Sequence, residues 1–275
     1  MRHRPNYLGV FLTFARNSLI RDMTFRGNFL AEVFTSIMWT VMTLCLYIII
    51  FEAADELGRG TGWGKYQFFI FLSTTMFVNS IMQTLFMPNT QEFSELIRTG
   101  RLDFILLKPI DSQFLISLHK IEWSSLSNMM VGVGLLVYSL FQLGFVPHLY
   151  QIVLYPLYIL CGVVILYSLI ITLAATSVWM GRNQSLYDFW FYITTFSRYP
   201  MEIYQGRLGV PLRHVLTFAI PILIAINVPA RLLAKPLDTS QWRLAVFAIV
   251  ATMACLVFSR RIFLSSLKGY RSASS

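Results

Sequence analysis

The sequence predicts an all-α polytopic membrane protein: an N-terminal interfacial amphipathic helix, six transmembrane helices, and a re-entrant extracytoplasmic hairpin between spans five and six. Three observations carry this. Of 275 residues, 56% are hydrophobic and only 13% are charged, whereas a soluble domain carries about 25% charged residues. The apolar residues gather in runs approaching or exceeding the roughly 20 residues that a spanning helix needs. The polar remainder is short, which leaves no room for a soluble catalytic or nucleotide-binding domain. A net charge of +9 on such a chain belongs to loops at an anionic membrane face rather than to nucleic acid. Cys45, Cys161 and Cys255 all fall inside apolar runs and read as small buried hydrophobes.

Residues 1–27 form the first element. Leu8, Phe11, Ala15, Leu19 and Met23 recur at spacings of three and four, opposed by Arg2, Arg4, Arg16, Arg21 and Arg26. One apolar face against a basic one is the pattern of a helix lying in the membrane interface. The long run that follows lacks a small-residue cleavage site, so a cleavable signal peptide is not expected. Spans one and two occupy 28–87, from about Asn28 to Phe51 and from Tyr66 to Met87, the second ended by Pro88. The glycine-rich loop between them only superficially resembles a phosphate-binding loop. Arg59 stands where the first glycine is required, and Tyr66 follows Lys65 where Ser or Thr is required.

The loop 88–112 holds a short helix. Asn89 and Glu92 look like a capping box, Phe93, Leu96 and Ile97 form an apolar stripe, and Gly100 is a stop signal. Glu92, Glu95, Arg98, Arg101, Asp103 and Lys108 surround the stripe with both signs of charge. So small a helix cannot bury itself, and a surface helix normally has a cationic polar face. The mixed signs favour docking on another protein.

Spans three to five are expected within 113–197, at about Leu115–Phe141, Ile152–Met180 and from Leu186 onward. The fifth is short, because only about a dozen apolar residues precede Arg198, Pro200 and Glu202, fewer than a span uses. Arg198 and Glu202 lie one turn apart and are expected to pair. Val215–Ala230, broken by Pro221, Asn227 and Pro229, is too interrupted for a comfortable span and too apolar for an exposed loop. Within 198–241 it reads as a hairpin buried against other helices. Span six occupies 242–263, and 264–275 is a tail.

With six crossings and both termini inside, fourteen of the 22 basic residues face the cytoplasm. They are Arg2, Arg4, Arg16, Arg21, Arg26, Arg98, Arg101, Lys108, Lys120, Arg182, Arg260, Arg261, Lys268 and Arg271. A seventh crossing would move the basic tail outside, against the positive-inside tendency.

No His-Glu-x-x-His zinc motif, Gly-x-Ser-x-Gly elbow or aspartate pair within a span is present. His3, His119, His148 and His214 are scattered at loop or boundary positions. The charges near spans, Glu32, Glu122, Arg198 and Glu202, lie close to ends rather than at mid-depth, which disfavours a proton-coupled carrier. What remains is a conduit driven from outside the chain, with a stand-alone secondary carrier or channel as the alternative.

The order of elements is similar to the permease subunit of type-2 ABC exporters, the ABC-2 type transporters. Gly-Arg-Leu-Asp at 100–103, Leu-Lys-Pro-Ile-Asp at 107–111 and Pro-Ile-Leu-Ile-Ala-Ile-Asn-Val-Pro-Ala at 221–230 resemble a bacterial branch labelled daunorubicin-like or viologen-exporter-like. The resemblance implies a multi-pass protein of the bacterial cytoplasmic membrane that pairs with an identical or sister permease and with separate cytosolic ATPase subunits. The chain itself binds no cofactor; ATP and magnesium belong to the partner ATPase. It further implies a coupling helix in which Phe93, Leu96 and Ile97 enter an ATPase groove, rimmed by Glu92, Glu95, Arg98 and Arg101. The hairpin would cap the pathway outside. Phe189, Trp190, Tyr192 and Thr195 on the short fifth helix are the candidate pathway contacts, and the aromatic load suits a hydrophobic or amphipathic cargo.

Overall fold

A computed structural model describes residues 6–54, 60–180, 184–235 and 239–270, and all of its regular structure there is helical. Arg2, Arg4, Arg59, Arg182 and Arg271, on which part of the charge argument rests, lie outside the described residues. Helices α1 (Tyr7–Thr24), α2 (Arg26–Ala53), α3 (Lys65–Leu85), α4 (Met87–Arg98), α5 (Leu102–Leu106) and α6 (Ser112–Leu118) come first. They are followed by α7 (Leu126–Gln142), α8 (Leu149–Met180), α9 (Gln184–Thr195), α10 (Gly206–His214), α11 (Ile222–Ala234) and α12 (Thr239–Gly269).

Five stretches are long and apolar enough to cross a membrane: Arg26–Ala53, Lys65–Arg98, Trp123–Gln142, Leu149–Trp179 and Trp242–Gly269. The expected fifth span is not among them. Its helix, α9, has 12 residues, about 18 Å at 1.5 Å per residue, and a single turn, Phe196–Arg198, carries it to Pro200. A sixth crossing exists only if the bent pair Gly206–Ala219 and Ile222–Ala234, at 90°, counts as one span. The bend follows from chemistry. The chain loosens into a π-turn at Val215–Ala219, where the Ile220 N–H reaches back to the Val215 carbonyl (2.9 Å). Pro221 then has no N–H with which to continue the ladder.

The bundle is built around α11, almost every residue of which is buried. It packs on α8 and α3, and α8 packs in turn along α12. Ala245, Ala248, Ala251, Thr252, Ser259 and Ser266 form a small, buried seam on α12, the residue sizes that let helices approach closely where lipid removes most of the hydrophobic drive. By contrast α2 buries only Thr40 and Tyr47. The Thr40 hydroxyl meets Asn128 Oδ1 of α7 (3.0 Å), and Tyr47 packs on Phe68 of α3. Leu30, Phe34, Met38, Trp39, Met42 and Ile49 remain exposed along α2.

Pro229 lies inside α11 and cannot donate to the Ala225 carbonyl one turn earlier. That freed carbonyl sits against Gly162 of α8, and a Cβ placed on Gly162 would lie 2.1 Å from the Ala225 oxygen. Only glycine admits the approach. Asn227, fully buried, continues the repair: its Oδ1 accepts from the Met201 N–H (2.8 Å) and its Nδ2 donates to the Leu223 carbonyl (2.8 Å). At the end of α11, Gln151 of α8 donates to the Leu232 carbonyl (2.7 Å).

The third span begins later than its apolar run suggests. α6 stops at Leu118, residues 119–122 are non-helical, and a 3₁₀ turn at Trp123–Ser125 opens α7. Neighbouring elements satisfy this elbow. Asn89 donates to the Lys120 carbonyl (2.7 Å) and accepts from its N–H (2.8 Å). The Ile121 N–H reaches Ser18 Oγ of α1 (3.0 Å), and the Glu122 N–H reaches the Thr84 carbonyl (3.0 Å). Asn89 is therefore no helix cap. Helix α4 begins two residues earlier, with Pro88 in its first turn. Helix α12 also runs beyond its expected end, through Gly269.

Gly132 of α7 approaches α3 less tightly, since an added Cβ would meet the Phe77 and Met76 side chains at 3.1–3.2 Å. The two glycines should therefore respond differently. Gly162→Ala is expected to destabilise by about 3 kcal/mol, at the upper end of ordinary overpacking, and Gly132→Ala by clearly less, as read by thermal unfolding in detergent. Adding Pro229→Ala, which returns an N–H to the Ala225 carbonyl, should recover part of the Gly162→Ala loss. Equal effects of the two glycine variants, or no recovery, would contradict the close-approach account.

Candidate functional site

Helix α4 is strongly two-faced. Phe93 and Leu96 are 0% and 5% exposed. They lie in a cluster with Leu102, Ile116, Ile171, Ala174, Ala175 and Phe263, with Ile97 partly buried against it. The Phe93 and Phe263 rings lie 6.1 Å apart. The stripe expected to enter a partner's groove thus has its partner in this chain, on α8 and α12. The physical reason is length: α8 and α12 extend far enough to cover α4, which the loop sequence alone does not reveal.

The opposite face is open. Gln91, Glu95, Arg98 and Thr99 are exposed, and the Arg98 guanidinium holds Glu95 at 2.7 and 3.0 Å. Glu92 stands between the two faces and joins Arg101 (3.4 Å), His119 (3.2 Å) and Lys120. These contacts tie α4 to the elbow. Gly100, at φ 70°, closes the helix in the left-handed region and lets the chain turn directly into α5. There Leu102 is buried while Phe104 and Leu107 stand 70% and 82% exposed, with Arg101 and Lys108 beside them. Sequence reasoning missed these two, because one apolar residue on a one-turn helix and another at its C-cap give no periodic signal.

A second polar clamp closes the same end of the bundle. Asp111 caps α6 by accepting from the Phe114 N–H (3.0 Å) and pairs with Arg260 of α12. Arg260 also donates to Gln113 Oε1 (2.8 Å), whose amide nitrogen donates to the Tyr167 hydroxyl of α8 (2.8 Å). Partial burial opposes ionisation of Asp111, but Arg260 and the Phe114 N–H outweigh it and hold the carboxyl below its ordinary range. The Ser117 hydroxyl, also on α6, adds a further contact to Tyr167 (2.9 Å).

At the far end of α3 and α8, Glu202 pairs with Arg231 and with Lys235 (3.3 Å) of the α11 end. Lys235 also donates to the Thr61 carbonyl (3.0 Å) and lies 4.6 Å from the Trp63 ring centre. Burial resists the charge on Glu202, and the two cations overcome it, keeping the carboxyl below its ordinary range. The expected Arg198–Glu202 pair does not form this way. Pro200 interrupts the helix that would set the two one turn apart, and the Arg198 guanidinium lies over Phe191 instead (5.3 Å).

The α9 residues do not share one environment. Trp190 is buried in the main core, Thr195 is half-buried with its hydroxyl on the Phe191 carbonyl (2.8 Å), and Phe189 and Tyr192 are exposed. Phe191 and Phe196 join the exposed aromatic set.

Glu122, at the elbow, is the electrostatic opposite of Asp111. Burial and then the carboxylates of Glu32 and Asp22 push its pKa above the ordinary range, against Arg21 and a Ser124 hydrogen bond. The signs of the two pH dependences are therefore opposed. A depressed acid stabilises the fold above its unfolded pKa and loses that contribution as pH falls through its folded value; a raised acid costs stability once pH exceeds its unfolded pKa. Asp111→Asn should lower the thermal midpoint at pH 7, with the difference from wild type still largely present near pH 4 and shrinking only below it, toward about pH 2. Glu122→Gln should raise the midpoint at pH 7, with the gain vanishing already toward pH 4. Same-sign shifts in midpoint scans across that range would contradict these assignments.

No curated protein and no solved structure matches the chain. A family model described as "ABC-2 family transporter protein" matches residues 37–274, spanning everything from the middle of α2 through α12. With its membrane-length helices and that match over most of its length, the chain is a multi-pass membrane protein and belongs to the ABC-2 family of transporters, as a transport component rather than a catalytic one.

Proposed function

We propose that this chain is the permease subunit of an ATP-driven exporter of the bacterial cytoplasmic membrane, with both termini cytoplasmic. Two such subunits, identical or sister chains, would form the pathway, each bound to a separate cytosolic ATPase that uses ATP and magnesium. The observation that supports the motor contact best is the division of labour at the α4–α5 corner. An exposed set of Gln91, Glu95, Arg98, Arg101, Phe104 and Leu107 stands directly on a buried wedge of Phe93 and Leu96. In this reading Phe104 and Leu107 enter the ATPase and the α4 charges pair at the rim. Phe93, Leu96 and Ile97 act one step inward, carrying movement to α8 and α12. Glu92 holds the corner to the elbow.

The α1 helix keeps Leu8, Leu12, Leu19 and Met23 exposed while docking through Ser18, Arg21 and Ala15. That free apolar face suits the membrane interface. The 90° pair α10–α11 serves as the re-entrant hairpin, latched by Glu202, and caps the pathway on the external side. The exposed aromatics of α9, with Phe189 and Tyr192 foremost, suit a hydrophobic or amphipathic cargo; Trp190 and Thr195 support that surface from within.

The two layers of the corner can be separated. Phe104→Ala with Leu107→Ala should leave the thermal midpoint nearly unchanged and reduce retention of the co-expressed ATPase by roughly tenfold, as expected for losing two interface anchors. Phe93→Ala should instead lower stability by about 3 kcal/mol, the cost of a cavity at a buried aromatic. Full ATPase retention and transport in the Phe104/Leu107 variant would sink the proposed docking surface.

A further inference from the structure

A cavity of about 580 Å³ opens between α1, the first turns of α2 and the elbow, with Arg21, Asp22, Asn28, Glu32, Lys120 and Glu122 as its polar lining. Its charges are of both signs but are not balanced. The Arg21 guanidinium is taken up by Asp22 (3.0 and 3.1 Å) and the Ile121 carbonyl (3.2 Å). Lys120 is taken up by Glu92, which lies outside the cavity lining. Among the described residues, Glu32 is hydrogen-bonded to the amide of Asn28 (2.5 Å) and to no cation, and Glu122 sits partly buried beside it with a serine hydroxyl. Two carboxylates therefore face a cavity whose cations are already engaged, and a ligand that enters must bring positive charge.

The depth of the cavity narrows the choice. With 28 residues, α2 is about 42 Å long, against a hydrocarbon core of roughly 30 Å. Its charged first turns, Arg26 to Glu32, therefore reach head-group level. Pro88, just past the end of α3, and Glu122, just before the third membrane-length stretch, lie at the same end of the bundle, where the Glu122 N–H meets the Thr84 carbonyl. Phe25, Phe29 and Ile121 line the cavity, and Trp39 and Leu46, which helical spacing puts on the same face of α2 as Asn28 and Glu32, stay exposed farther along it as a bed for acyl chains. Arg21 and Lys120, though engaged, keep donors near the opening for an adjacent phosphate.

We propose that this cavity binds the head group of an aminophospholipid, with the ammonium between Glu32 and Glu122 and the phosphate toward Arg21 and Lys120. A primary ammonium carries three donors and fits two carboxylates, whereas a quaternary ammonium has none to offer. Binding would brace α1 and α2 against the elbow that also holds α4. The site stands on the geometry of the chain alone and does not depend on the exporter reading.

Native mass spectrometry of the purified chain, given an equimolar mixture of phosphatidylethanolamine, phosphatidylcholine and phosphatidylglycerol, tests this. Wild type should retain phosphatidylethanolamine preferentially. Glu32→Gln with Glu122→Gln should cut that preference roughly tenfold, the equivalent of one charge-assisted contact. Glu52→Gln, at the opposite end of α2, should leave it intact. Glu32→Gln alone, at an exposed position hydrogen-bonded to the Asn28 amide one turn away, should reduce the preference in a protein whose thermal midpoint is not lowered. Equal retention of the three lipids, an undiminished preference in the carboxylate variants, or selection of phosphatidylglycerol would overturn the proposal. The last would mean that the cations alone recruit a phosphate.

Discussion

The contact between the Ala225 carbonyl and Gly162 is the constraint on which the core depends. Proline inside a helix normally leaves a carbonyl without its donor, an expensive condition away from water. Here the orphaned oxygen is turned onto the α-carbon of a glycine, close enough for a weak Cα–H···O contact, and the helix that carries it can then be buried on nearly every side. Without that approach α11 could not lie between α3 and α8. The hydrogen bonds of Asn227 and Gln151 and the ion pairs of Glu202 would then lose their common framework. A defect in one helix is thus what permits the central packing of the bundle.

The opposite end obeys the same rule with different means. The elbow at 119–122 exposes backbone groups between two helices, and side chains from distant parts of the sequence complete them: Asn89 from α4, Ser18 from α1, and a main-chain carbonyl from the end of α3. Asp111 and Arg260 then fasten α6 to α12. Each bond is modest by itself. Together they fix the position of α4, because every partner approaches it or its immediate neighbour.

Which parts of this were legible in the sequence follows from the range of the forces involved. Long apolar runs show α2, α8 and α12 directly, and the shortness of the fifth segment is visible in the charges that end it. Pro221, Asn227 and Pro229 announce a broken, buried segment, and Gly100 announces the end of α4, because proline and glycine act within one turn. Phe93 and Leu96 show the limit. Their spacing identifies an apolar face, but not whether α8 and α12 or another protein covers it. The elbow was hidden for a related reason: it contains no proline or glycine, and its compensation comes from residues up to about a hundred positions away. The Arg198–Glu202 expectation failed locally, since helical spacing has no meaning across Pro200.

The two ends are joined by one rigid part. With 32 residues, α8 is about 48 Å long. One end holds Ile171, Ala174 and Ala175 against Phe93, the middle presents Gly162 to the Ala225 carbonyl, and the other end reaches the Leu232 carbonyl through Gln151. A force applied to the exposed face of α4 meets a close-packed cluster that resists compression, so it is passed on rather than absorbed. Helix α8 can move only by sliding along the small-residue seam of α12 or by carrying α11 with it. From Ala245 to Ser259 the buried residues of the seam are small, and Phe263 interlocks only at the α4 end, whereas the Gly162 contact leaves no slack. Motion entering at α4 therefore favours displacement of α8 and α11 together, with α12 as the track, and the polar contacts that tie this pair to its surroundings toward the far end are the Tyr155–Thr74 bond to α3, the Asn227–Met201 bond and the latch formed by Glu202, Arg231 and Lys235.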